Sequence, residues 1–480
     1  MAWETVMGLE VHVELATESK IFCSCANDSS ADANENVCPA CAGMPGLLPV
    51  MNRNVVNKAI AAGLVTNCTI NHVSTFDKKN YYYPDLSNSY QITQMYHPIC
   101  TNGWVEIETK AGKKKIRINR IHMEEDAGKL LHDDFAGISM VDYNRCSVPL
   151  CEIVSEPDFR SADEVVAYLE KLRSLLRYAG AGRCRMEQGL MRCDVNISVR
   201  EKGEEKFGVR TEVKNMNSLS AIREVIAYEV ERHIDALEWG DEELIQETRG
   251  WNPAKKQTFA MREKETAADY LYFPDPDLPP VVVDDEWIEE IRASLPEMPD
   301  VKKERYISEL GLKEKEASQL TASPNLAFLF DGLIGQGCEA KDAAAWLLTE
   351  ALALARKAGV AADDIEFDGN KLAYIIKQVA EGKLTRANAK TAFAAVFEED
   401  ADPGSFIKEQ GLDQVADNSE TENVLRAIID ANPKIVADYK GGKVKALDAL
   451  FGQAMRQAMR QLKGAADPQT IRRILTDLLS

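Results

Sequence analysis

Residues 8–14 read GLEVHVE, and they constrain the chain more than any other stretch. Glu10, His12 and Glu14 alternate with Leu9, Val11 and Val13. A period of two is that of a β-strand, whose successive side chains point to opposite faces. One face carries two carboxylates and an imidazole; the other is apolar. Oxygen ligands with one histidine suit a hard divalent cation such as Mg²⁺ or Mn²⁺. Taken alone, the same residues also read as the solvated face of an ordinary strand.

Later stretches repeat the pattern. Residues 121–129, IHMEEDAGK, set acids behind a histidine, and residues 148–157, VPLCEIVSEP, carry Glu152 in a β-prone run. Residues 192–200, RCDVNISVR, put Asp194, Asn196 and Ser198 on one face; residues 211–218, TEVKNMNS, do the same for Glu212 and Lys214. Acids around Glu10, Glu125, Glu152, Asp194 and Glu212 thus recur in β-like segments. Carboxylates gathered on one sheet face repel one another unless a cation joins them, and burying one unpaired is costly. The expectation is a sheet-lined cradle that binds divalent metal. Neutralisation by neighbouring Lys and Arg is the alternative.

At 480 residues the chain is long enough for two or three domains. No apolar run is long enough to span a bilayer, and the first ten residues lack the basic and apolar regions of a signal peptide. A cytoplasmic protein is expected. The formal charge of −20 repels nucleic acid on average, so any RNA contact requires a local basic patch. Two segments qualify. Residues 110–120, KAGKKKIRINR, form one arm of a hairpin around Ala111-Gly112 and read as a charged edge strand or as a phosphate contact. The tail carries Lys440, Lys443, Lys445, Arg456, Arg460, Arg472 and Arg473 and is the natural place for RNA phosphates; a solvated helical face is the plainer reading.

Four of the eleven cysteines lie close together, as Cys23-Ser-Cys25 and Cys38-Pro-Ala-Cys41. Four thiolates at this spacing can close tetrahedrally on Zn²⁺, with no open position left for chemistry. Amphipathic helices are expected over residues 160–178 and 220–237, and strand-like alternation gives way to alanine-rich helical periodicity after residue 294. A second break falls near the EEDADPG stretch, residues 398–404. The expected division is a cradle domain over 1–294, a helical domain over 295–403 and a small helical tail over 404–480. No phosphate-binding glycine loop, kinase motif, HExxH or GxSxG occurs. A nucleotide would therefore have to be held by carboxylate-bound Mg²⁺ on a sheet.

These stretches, together with STFDKKNYYYPDL, ETRGWNP, YFPDPDLPP and ERYISELGL, run in the order of a known family and reach from the first residues to the tail. The chain resembles the GatB family, the B subunits of the tRNA-dependent amidotransferases. The resemblance implies an α+β fold: a mostly antiparallel sheet cradle similar to the glutamine synthetase catalytic core, then all-α middle and tail domains. It implies phosphorylation by ATP of the side-chain carboxylate on misacylated Glu-tRNA(Gln) or Asp-tRNA(Asn), then displacement of phosphate by ammonia from a glutaminase partner, GatA. GatA and a third partner, GatC, would complete a heterotrimer, and no membrane is involved. It further implies Glu10, His12, Glu125 and Glu152 as Mg²⁺ ligands, with Glu125 and Glu10 in the chemistry. Asp194 and Glu212 would serve a second cation beside the nucleotide, with Lys214 there too. Lys79 would sit near an ammonia passage, Cys23, Cys25, Cys38 and Cys41 would hold Zn²⁺, and the tail would touch the tRNA body. The chain departs from the family at Ser87-Asn88-Ser89, where a lysine-bearing turn is usual, and at Leu271, where arginine is usual. The alternative to an enzyme is a non-catalytic tRNA-binding scaffold in the same complex.

Overall fold

The alternating stretch lies within a twelve-residue strand, Trp3–Glu14, at the middle of a nine-stranded sheet in the computed structural model. The structure describes residues 2–28, 31–133, 135–240, 243–263, 270–413, 418–440, 448, 450–456 and 468–479. Across the sheet the strands run Gln257–Glu263, Glu247–Asn252, Thr211–Met216, Met191–Glu201, Trp3–Glu14, Pro149–Ser155, Gly112–Glu125, Cys100–Thr109 and Thr69–Ile70. Neighbours are antiparallel except Thr211–Met216 and Glu247–Asn252, which are parallel. The long helix Leu219–Trp239 intervenes between these two, as a parallel crossover requires.

The apolar face makes the core. Met7, Leu9, Val11 and Val13 are at most 1 % exposed. They pack with Val165, Leu169, Leu172 and Leu176 of the helix Ala162–Tyr178 and with Ile222 and Val225 of Leu219–Trp239. The first of these helices starts where Ser161 Oγ accepts from Glu164 N, with Asp163 and Glu164 in the first turn; all three suit the positive end of a helix. With helices on one side, the polar side chains of the central strands are left on the other. A three-stranded sheet, Leu271–Pro274, Asp77–Asn80 and Tyr90–Thr93, lies beside that open side: Thr93 Oγ1 donates to Glu124 Oε2 at 3.3 Å.

The chain divides into two compact units, Met1–Met298 and Pro299–Ser480. In the second, the described secondary structure is helical. One core gathers Tyr306, Phe330, Trp346, Leu372 and Phe393; another gathers Leu425, Ile428, Ile471 and Leu475. The alanine-rich run over 340–358 is helical with a π-helical turn at Trp346–Ala351. Among the described residues no helix is long and apolar enough to cross a membrane.

Candidate active site

Directly opposed residues of an antiparallel pair share a face. His12 stands opposite Glu152, and Glu152 opposite His122. Glu10 stands opposite Asp194, and Asn196 opposite Glu212. The register thus gathers two clusters on the open face: His12, Glu124 and Glu152 in one, Glu10, Asp194 and Glu212 in the other. Within each, ligand atoms lie within 4.8 Å of one another.

In the first cluster His12 Nε2 is 3.3 Å from Glu124 Oε1 and 3.5 Å from Glu152 Oε2. His122 Nε2 is 3.0 Å from the same Glu152 oxygen. Burial opposes a charge on His12, but Glu152 and Glu124 outweigh it and push the imidazole up to about 10. Burial likewise opposes ionisation of Glu152, yet His122 and His12 hold its carboxyl well below the usual range. The site is built around positive charge, carried by a proton on His12 or by a cation beside it. One nitrogen and carboxylate oxygens from three strands are a donor set that fits Mg²⁺ or Mn²⁺.

The second cluster contains its own cation. Lys214 Nζ is 2.5 Å from Asp194 Oδ2 and 3.0 Å from Glu212 Oε1. Asn196 Nδ2 donates to Glu10 Oε1 at 3.0 Å, and Thr248 Oγ1 to Glu212 Oε2 at 2.9 Å. Burial raises the Glu10 carboxyl, Glu152 and Glu212 add to the rise, and Lys214 and Asn196 pull it back. The three carboxylates fit a divalent ion, and Lys214 shares their charge with it. Beside Glu10 the open face carries an apolar pocket of about 260 Å³, whose lining includes Val6, Gly8, Val154, Ser198, Phe207 and Arg210.

The expected grouping of Glu10, His12, Glu125 and Glu152 into one site is corrected in two respects. Glu10 groups with Asp194 and Glu212. Glu124, not Glu125, faces His12, because neighbours on a strand point to opposite sides. Glu125 is turned away: it accepts from Ile92 N at 2.9 Å and from Ser147 Oγ at 2.8 Å. Burial pushes this carboxyl up to about 7 against those two donors. Sequence reading noted His122 and Asn196 without giving either a role in the site, and did not single out Thr248. The spacing His122-x-Glu124 was the available signal, since only that parity sets acid and imidazole on one face.

Lys79 lies 5.0 Å from the Tyr270 ring centroid and 5.7 Å from that of Tyr81. Burial disfavours its charge, but Glu124, Tyr272 and Glu152 hold the ammonium on. Cys23, Cys25, Cys38 and Cys41 also converge, their sulfurs within 4.8 Å of one another. The Cys38–Cys41 and Cys25–Cys41 sulfur separations are 3.8 and 4.0 Å. Sulfurs about 2.3 Å from a tetrahedral Zn²⁺ lie about 3.8 Å apart, so the residues fit that ion. Lys20 Nζ, fully buried, lies 3.7 Å from Cys41 Sγ and offsets thiolate charge. A hydrogen bond from Cys23 pulls the Cys41 thiol down to about 5, against burial and with help from Cys38 and Lys20. Ser87, in the turn that departs from the family pattern, donates to Cys41 O at 2.8 Å.

Of the tail residues, Arg456, Arg472 and Arg473 are exposed, and Arg472 pairs with Asp448 at 2.9 Å. The Lys440 side chain, Lys443, Lys445 and Arg460 lie outside the described residues.

Residues 5–289 match the family model of the GatB/GatE catalytic domain, and residues 328–479 that of the GatB domain. The chain belongs to the GatB family. Relatives named as the B subunit of aspartyl/glutamyl-tRNA(Asn/Gln) amidotransferase are similar along the whole length. That of Agathobacter rectalis is 50% identical over 477 residues, 99% of each chain. Those of Lachnoclostridium phytofermentans and Caldicellulosiruptor saccharolyticus are each 48% identical over 100% of this chain and 99% of their own. Both clusters, the pocket beside Glu10, Lys79 and the four cysteines fall within the stretch matched by the GatB/GatE catalytic domain.

Proposed function

We propose that this GatB-family chain is the transamidating subunit of a tRNA-dependent amidotransferase, a carbon–nitrogen ligase acting on Glu-tRNA(Gln), Asp-tRNA(Asn) or both. It would work in a heterotrimer with the glutaminase GatA and with GatC. The observation that carries this reading is the pair of acid clusters, side by side on one open sheet face of a catalytic domain. A scaffold that had lost its chemistry would have no need of them.

The chemistry follows from what a carboxylate lacks. Its leaving group would be oxide, so ammonia does not displace it. In the first step a carboxylate oxygen of the aminoacyl side chain attacks the terminal phosphorus of ATP, the bond to the bridging oxygen breaks, and ADP leaves. In the second, ammonia attacks the acyl carbon, the carbon–oxygen bond to phosphate breaks, and the nitrogen loses a proton. Such phosphoryl transfer depends on positioning and charge stabilisation rather than on covalent help from the protein.

His12, Glu124 and Glu152 would hold one Mg²⁺, and Glu10, Asp194 and Glu212 a second. Bound there, Mg²⁺ supplies neutralisation of the phosphate charge. Lys214, shared between Asp194 and Glu212, turns to the nucleotide phosphates once those acids have another partner. The apolar pocket beside Glu10 takes the base. Lys79, charged among tyrosines and within electrostatic reach of Glu124 and Glu152, stands where ammonia arrives. The four cysteines hold a structural Zn²⁺. The sheet corresponds to the cradle similar to glutamine synthetase, with the division 1–294, 295–403 and 404–480; two separate apolar cores in the helical half support a last break, although Ile407 and Leu412 still pack with the first of them. The basic tail contacts the tRNA body.

The test is conversion of each misacylated tRNA by the co-purified heterotrimer, with ATP, Mg²⁺ and glutamine omitted in turn. Each omission should abolish amide formation. Amidation that proceeds without ATP refutes the reading.

A further inference from the structure

On the open face, Arg120 stands opposite Val154, and Val154 stands opposite Glu10. With strands about 4.8 Å apart, the Arg120 and Glu10 backbones are about 10 Å from each other, with only the short apolar Val154 between them. One row along the face, His12, Glu152 and His122 line up in the same way. Arg120 therefore borders both the first acid cluster and the space above Val154, which also lines the pocket beside Glu10.

Its partners are unusual for this face. Arg192 pairs with Asp126 at 2.8 Å, and Lys214 with Asp194 and Glu212. Arg120 pairs with no carboxylate among the described residues. Its Nη1 donates to Met95 O at 3.1 Å, and both terminal nitrogens lie 3.9 to 4.0 Å from Met95 Sδ. Its Nε is buried with no hydrogen-bond partner among the described residues. A buried guanidinium N–H left unmatched costs stability, and acids a strand away do not relieve it. Such a group is arranged for an anion that arrives from outside.

We propose that Arg120 is a catalytic residue that binds the phosphoryl group in transfer. The inference rests on the function proposed above. In the first step, negative charge spreads over the three equatorial oxygens of the moving phosphoryl group while the bond to ADP breaks and the bond to the aminoacyl carboxylate forms. A guanidinium offers planar N–H donors to such oxygens and keeps its charge at every working pH. A phosphoryl group lying over Val154 is within reach of an arginine side chain. Arg120 then engages the oxygens that the carboxylate-held cations leave free. The same contact persists on the acyl phosphate until ammonia displaces it.

The experiment compares wild type, Arg120→Lys and Arg120→Ala as intact heterotrimers. Losing one preorganised donor to developing charge typically lowers kcat by about 10²- to 10³-fold. That drop is expected for Arg120→Ala, with KM for ATP changed by less than about threefold if the contact is made chiefly in the transition state. Arg120→Lys should recover part of the loss, since it keeps the charge but not the fork. A second readout is trapping of ADP with aluminium fluoride in the presence of misacylated tRNA. Wild type should trap the pair, whereas Arg120→Ala should bind ADP normally and lose the aluminium fluoride. A purely structural role would move the melting temperature and ADP affinity together. Wild-type kcat and trapping in a folded Arg120→Ala heterotrimer overturn the proposal. If wild type itself forms amide without ATP, the function proposed above fails instead, and the two failures are distinguishable.

Discussion

Glu125 offers the sharpest test of how this sheet is built, because its neighbour Glu124 points the other way. The Glu125 carboxyl is 6 % exposed and is pushed from 4.5 up to about 7, chiefly by burial, against hydrogen bonds from Ile92 N and Ser147 Oγ. Each pH unit of difference between folded and unfolded states corresponds to about 1.4 kcal/mol. The gap implies that holding Glu125 ionised in the fold costs about 3 kcal/mol. The sign is fixed by linkage. Below about pH 4.5 the group is neutral in both states and exacts nothing. As pH rises from there towards 7 the unfolded chain gains by ionising first, so stability falls across that window and levels off above it. Glu125→Gln removes the ionisation but can still accept from Ile92 N and meet Ser147 Oγ. Urea unfolding of the wild type and of Glu125→Gln, followed from about pH 5 to about pH 8, should therefore show a variant whose advantage grows with pH by about 2–3 kcal/mol. A difference independent of pH would mean that Glu125 does not carry the raised value and that the burial argument is wrong.

The remaining predictions concern activity and metal. Glu124→Ala should lower ATP-dependent amide formation by at least about 10²-fold, as expected for losing charge stabilisation at the reacting phosphate, while leaving tRNA affinity near wild type; wild-type turnover would remove Glu124 from the site. Elemental analysis should find about one zinc per chain, the count for a single four-thiolate site, and Cys23→Ser should lower it; a folded protein that never contains zinc sinks that assignment. Deleting the chain after Gly404 should weaken tRNA binding and flatten its salt dependence; unchanged affinity at all salt concentrations rules out a tail contact.

Much of the site was legible because β-structure writes itself into sequence with a period of two. Glu10 and His12 share a face by parity alone, and so do Asp194 and Asn196. The cysteine spacing gave the four-sulfur cluster for the same local reason: a short loop leaves thiols few places to go. The choice between Glu124 and Glu125 needed the register. In a run of three acids every parity contains a carboxylate, and only the pairing of Glu152 with His122 decides which of them meets His12. Arg120 reaches the open side by the same alternation as Glu124 and His122, and the register shift between Val154 and Ser155 then sets Ile118 in the core along with Ile121.

By itself the sequence determined which residues could be ligands, where strands give way to helices, and that the chain follows its family from end to end. Tertiary structure decided which strands are neighbours, and so moved Glu10 from the first expected acid site to the second, set Glu124 rather than Glu125 beside His12, and left Arg120 without a carboxylate partner among the described residues. The physical reason is range. Periodicity and caps are set by residues within a few positions of one another, whereas cross-strand contacts such as Glu10 with Asp194 join residues far apart in the chain and are fixed only when the sheet assembles.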